Sequence, residues 1–101
     1  MGYEYVTKLG FQTDRQLESA IAALPEDPGW FVNKREGRRI ENVFDKSDLT
    51  KDGPEDFLII FSPSELYVLF TRAGTVRERA VLTFLTLFLS QYGFEVAFEP
   101  L

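Results

Sequence analysis

Three runs decide how this chain folds: Phe57–Phe61 (FLIIF), Leu66–Phe70 (LYVLF) and Val76–Gln91 (VRERAVLTFLTLFLSQ). The first two are rich in β-branched and aromatic residues and do not alternate, so they present apolar groups to both sides. That pattern predicts two central strands covered on both faces, joined by the turn Ser62-Pro63-Ser64-Glu65. The third run has helical spacing. Thr75-Val76-Arg77-Glu78 reads as a capping box at its start, and Gly93 stands where a left-handed residue would close its end.

This last helix is too apolar for an ordinary surface helix. Stepping about 100° per residue from Val76, its apolar side chains sweep an arc of about 240°, against a normal width near 100°. The polar stripe is Arg79, Thr83, Thr86 and Ser90. A flat sheet hides about half of a helix, so the face around Val81, Leu85, Phe88 and Leu89 needs a cover. Two readings compete: the chain's own curved sheet, other helix and a loop finish the burial, or the helix or a face of the sheet packs against a second copy or partner protein, which the doubly apolar strands also favour. Under the second, those four residues are interface candidates.

Tyr3–Leu9 alternates and predicts a strand. Thr13-Asp14-Arg15-Gln16 is a capping box, and Leu17, Ala20, Ile21 and Leu24 follow on one helical face. Pro25 and Pro28-Gly29 end that helix. Trp30–Lys34 and Arg38–Phe44 read as a hairpin through Glu36-Gly37. Asp45–Asp56 is a polar loop, and Phe94–Phe98 alternates like a short final strand. The order is β-α-β-β-β-β-α-β over residues 1–101. It predicts a single α+β domain, with an antiparallel or mixed sheet of five to six strands and two helices.

Composition excludes whole classes of chemistry. The 101 residues are 45% hydrophobic and 15% aromatic, enough for a core and against disorder. With neither Cys nor His there is no cysteine nucleophile, Ser-His-Asp triad or zinc site of the usual N/S kind. Lack of cysteine in a small domain points to a reducing, cytoplasmic setting. The start, Met1-Gly2-Tyr3-Glu4-Tyr5, reads as neither a signal peptide nor a myristoylation site. The apolar run Ala80–Leu89 is about half the ~20 residues that a membrane span needs. A net charge of −5 weighs against nucleic acid and suits a basic partner.

Four polar constellations could carry chemistry. At the start of the last helix, Arg72, Gly74, Thr75, Arg77 and Arg79 could hold an anion or phosphate at the positive helix end; the competing reading pairs these arginines with acidic loop residues. Asp48-Leu49-Thr50-Lys51-Asp52-Gly53 matches the first half of a calcium loop, but Ile59 stands where the closing carboxylate belongs. Lys34-Arg35-Glu36-Gly37-Arg38-Arg39 beside Trp30 and Phe31 is a basic hairpin, which more often keeps an edge soluble than binds single strands. Glu4, Glu41, Glu65, Glu95 and Glu99 offer carboxylates, but no spacing selects a catalytic pair.

The sequence thus predicts a small acidic, non-enzymatic protein-interaction domain. It is expected to be a homodimer with a protein partner, and with no metal, cofactor, nucleic acid or membrane. The alternative is a binding domain for a small anionic ligand at the last helix.

Overall fold

The computed structural model describes residues 3–24, 29–49, 55–72 and 74–101. Its elements are β1 (Tyr3–Lys8), α1 (Asp14–Ala22), β2 (Phe31–Glu36), β3 (Arg39–Val43), β4 (Phe57–Phe61), β5 (Glu65–Phe70), α2 (Thr75–Ser90) and β6 (Glu99–Pro100), with one 3-10 turn at Lys46–Asp48. All six strands join one antiparallel sheet, in the order β2-β3-β4-β5-β1-β6. The fold is therefore α+β, with the expected order of strands and helices.

Local chemistry explains most boundaries. Thr13 caps α1: its Oγ1 accepts from the Gln16 amide at 3.2 Å, and Gln16 Oε1 accepts from the Gln12 amide at 3.1 Å. Gly37, with φ +57°, turns the β2–β3 hairpin, and Gly93, with φ +84°, follows α2. The start of α2 differs from the capping box predicted at Thr75. Gly74 is the N-cap, Glu78 donates its amide to the Gly74 carbonyl, and no side chain caps the helix. The Glu78 carboxylate instead accepts a 3.0 Å hydrogen bond from the Tyr5 hydroxyl, so a tertiary contact takes the local partner.

The last strand also differs. It is not Phe94–Phe98 but the short β6, paired with Tyr5 and Val6. Phe94, Val96 and Phe98 still pack on the core; their alternation reflects a one-sided irregular segment, tied to β1 where the Ala97 amide donates to Thr7 Oγ1 at 3.2 Å.

Both helices lie on the same side of the sheet. Phe57, Ile59, Phe61, Leu66, Val68 and Phe70 form one buried cluster with Leu17 and Ile21 of α1 and Val81, Leu85, Phe88 and Leu89 of α2. Their alternates Leu58, Ile60, Tyr67 and Leu69 point the other way and do not belong to that cluster. Helices cover β4 and β5 on one side only among the described residues, but Leu58 on the other side is also buried, at 4% exposure, so that face is covered in part. The sandwich is filled by ring contacts: Trp30 meets Phe57 at 5.3 Å and Phe84 at 5.0 Å, edge to face, and Phe57 stacks on Phe44 and Phe70 at 5.0 and 5.5 Å.

Candidate functional site

The predicted anion site resolves into separate structural contacts. Arg72 reaches Asp56, Nη2 to Oδ1 at 3.0 Å. Asp56 is itself buried, and its other oxygen accepts the Phe44 amide at 2.8 Å. The Asp56 carbonyl accepts from the Thr71 and Arg72 amides, and its amide donates to the Asn42 carbonyl. One aspartate thus ties the ends of β3 and β5 to the start of β4. The Arg77 guanidinium lies over the Phe44 ring at 4.9 Å, near enough to Asp45 to help lower that carboxylate's pKa. The larger causes of that lowering are the amide and hydroxyl of Ser47. Arg79 projects about 200° around the helix from Arg77. Arg72 therefore pairs with Asp56, Arg77 lies over the Phe44 ring, Arg79 lies elsewhere, and Gly74 and Thr75 serve as N-cap and first helical residue.

The predicted interface residues Val81, Leu85, Phe88 and Leu89 sit against the chain's own sheet, each 7% exposed or less. They are core, covered by β4 and β5 beneath and by Trp30 at the flank of Phe84. The water-facing side of α2 is wider than the stripe Arg79, Thr83, Thr86, Ser90. It also takes in Val76 at 82% exposure, Ala80, and Leu87 at 63%. Thr86 is half-buried.

The calcium-loop reading of Asp48–Gly53 falls mostly on residues outside those described. Among the described residues no group of three or more acidic side chains could hold a metal ion. Two of the four basic residues of the hairpin are paired: Lys34 with Glu36 at 3.5 Å, and Arg38 with Asp14 and Glu18 of α1 at 3.1 and 3.0 Å. The Arg38 bridges tie the hairpin to α1. An open groove of about 700 Å³ is lined by Phe11, Thr13, Arg15, Gln16 and Ser19 on one side and by the Tyr92 and Phe94 rings on the other. Its hydroxyls (Thr13, Ser19, Tyr92) have no carboxylate or lysine among the lining residues to act as base.

The sheet face that the doubly apolar runs Phe57–Phe61 and Leu66–Phe70 leave for association is the helix-free one. The strand registers place two cross-strand rows there. One runs Lys34, Glu41, Leu58, Leu69, Glu4, and the other Glu36, Arg39, Ile60, Tyr67, Val6, Glu99. The centre is apolar and the ends are charged. Tyr67 is fixed in this face by a 2.6 Å hydrogen bond to Glu4, which raises its pKa. The only sequence signal for it was the missing alternation of β4 and β5, which announces two apolar faces without saying which one the helices take.

No family model, curated protein or solved structure matches the chain at a significant level. Among the described residues, no helix is long and apolar enough to cross a membrane.

Proposed function

We propose that this protein is a non-enzymatic interaction domain that works as a homodimer and binds a partner protein on the helix-free face of its sheet. One observation carries the reading: both helices pack on one face, leaving Val6, Ile60, Tyr67 and Leu69 half-buried on the other with no helix above them among the described residues. Half-buried aromatic and aliphatic groups ringed by charge have the make-up of a recognition surface, with an apolar centre and a polar rim. The rim also suggests the chemistry of the occupant. Glu4, Glu36, Glu41, Glu65 and Glu99 share this face with Lys8, Lys34 and Arg39. The acidic excess, like the net charge of −5, suits a partner that is basic around an apolar contact.

The test is a cross-linking capture from the native cell with two baits, the wild-type chain and an Ile60→Lys/Leu69→Lys variant. The wild type is expected to give cross-links to partner proteins at Lys8 and Lys34, on the helix-free face, and the variant to lose them while keeping its circular dichroism. Cross-links confined to other surfaces, or unchanged in the variant, would overturn the reading. An anion site at the start of α2 has less support, because Arg72 pairs with Asp56, Arg77 lies over the Phe44 ring and Arg79 points away from both.

A further inference from the structure

We infer that the outer ridge of α2 is the homodimer contact, and that two copies meet there as antiparallel helices. This rests on the dimeric part of the function proposed above and assigns it a surface distinct from the sheet face. Val76, Ala80, Thr83 and Leu87 follow one another at steps of four, three and four residues and are all exposed. That spacing is the seam of a coiled-coil pair, in which alternate steps of three and four keep one stripe facing the partner helix. Val76 and Leu87 are large apolar groups with 82% and 63% of their surface open, while the Ala80 and Thr83 between them are small. Small central residues let two helix backbones approach closely, and the large end residues then close over them.

The ridge is self-complementary by size. About a two-fold axis between residues 81 and 82, Val76 of one copy meets Leu87 of the other, and Ala80 meets Thr83, so every large group finds a partner. A parallel pair would match by size as well, and charge selects the antiparallel one. The exposed charges of α2, Arg77 and Arg79, are in its first half; from Ala80 to Ser90 it has none, and no basic residue sits in its last turn. A parallel pair would set Arg79 beside Arg79. The antiparallel pair sets it beside an uncharged stretch, with the side chain leaning toward the partner's C-terminal end, where the helix dipole is negative. Desolvating the flank costs little, because the Thr86 and Ser90 hydroxyls already donate to the Leu82 and Leu87 carbonyls at 2.8 and 2.7 Å.

The experiment uses the full chain and exploits its lack of cysteine. Light scattering across the micromolar range should give the mass of two chains, and Ala80→Arg/Leu87→Arg the mass of one, with unchanged circular dichroism. An Ala80→Cys chain mixed with a Thr83→Cys chain should form the mixed disulfide on mild oxidation, well ahead of either chain alone. Preferential cross-linking of Ala80→Cys to itself would overturn the antiparallel register. A dimer broken by Ile60→Lys/Leu69→Lys but not by the α2 variant would overturn the ridge and leave the sheet face as an interaction surface. A monomeric wild type would overturn the dimer altogether without touching the sheet-face reading, which the capture experiment tests separately.

Discussion

At the scale of single residues, buried polar side chains do the joining that apolar packing does not direct. Asp56 is the clearest case, since its carboxylate holds both the Phe44 amide and Arg72. Asp56→Ala should cost about 2–3 kcal/mol, because a main-chain N–H loses its acceptor in a buried setting. Arg72→Ala should cost under about 1 kcal/mol, because that side chain is half in water; urea unfolding of both variants checks the ranking. Two tyrosines are tied to carboxylates in the same manner. Tyr5 donates to Glu78 and Tyr67 to Glu4, and both hydroxyl pKa values are raised, first by the hydrogen bond and then by burial and the nearby negative charge. A raised folded-state value means the contribution to stability is fully present below the ordinary tyrosine pKa of about 10 and is lost as pH rises through the folded values. Ultraviolet titration of the four tyrosines should therefore show Tyr5 and Tyr67 ionising late. Glu78→Gln and Glu4→Gln should each bring one of them back toward the ordinary value. An unshifted titration curve in the wild type would contradict these hydrogen bonds.

At the scale of elements, the two helices are built on different grounds. α1 is short and depends on its cap, so Thr13→Ala should lower stability by about 1 kcal/mol, measured by chemical denaturation. α2 has a bare glycine cap and is held by burial. Leu85→Ala, in the core, should cost about 2–5 kcal/mol. Leu87→Ala, on the outer ridge, should change the stability of the single chain by no more than about 0.5 kcal/mol while weakening its self-association. That contrast between residues two apart checks which side of α2 faces in. Much of this level was legible beforehand: the cap at Thr13, the turn at Gly37 and the stop at Gly93 follow from residues within one turn of each other. The cap of α2 was not, because Glu78 chose between a local amide and the Tyr5 hydroxyl, and Tyr5 is distant in sequence.

At the scale of the whole molecule, the sheet order controls which surfaces remain for function. β1 pairs with β5 rather than with β2, so α1 carries the chain across the sheet to its far edge. α2 then returns to the near edge, and both crossings use the same face. One face is thereby filled with Phe, Trp and Leu side chains, and the other keeps a thinner apolar strip with an acidic excess at its rim. If that strip binds a basic-rimmed partner, raising the salt concentration should weaken the complex chiefly through slower association, which stopped-flow mixing would detect. Insensitivity to salt would argue against the rim charges as the steering element.

The sequence by itself determined the two helices, the first five strands, the order of elements and the absence of cysteine and histidine chemistry. Those follow from spacing, turn residues and the lack of His and Cys, all of which act within a few residues or through composition alone. The tertiary structure decided everything that depends on contacts between distant segments. It put Val81, Leu85, Phe88 and Leu89 inside rather than at an interface, gave Arg72 an acidic partner and Arg77 an aromatic one within the chain, and left Val76 and Leu87 in water. A helix apolar over about 240° of its arc can seat several of its faces, and only the sheet beneath and the Trp30 flank choose among them. The apolarity of α2 was legible in the residues, but the direction in which it points was fixed by its packing on β4 and β5 and against Trp30.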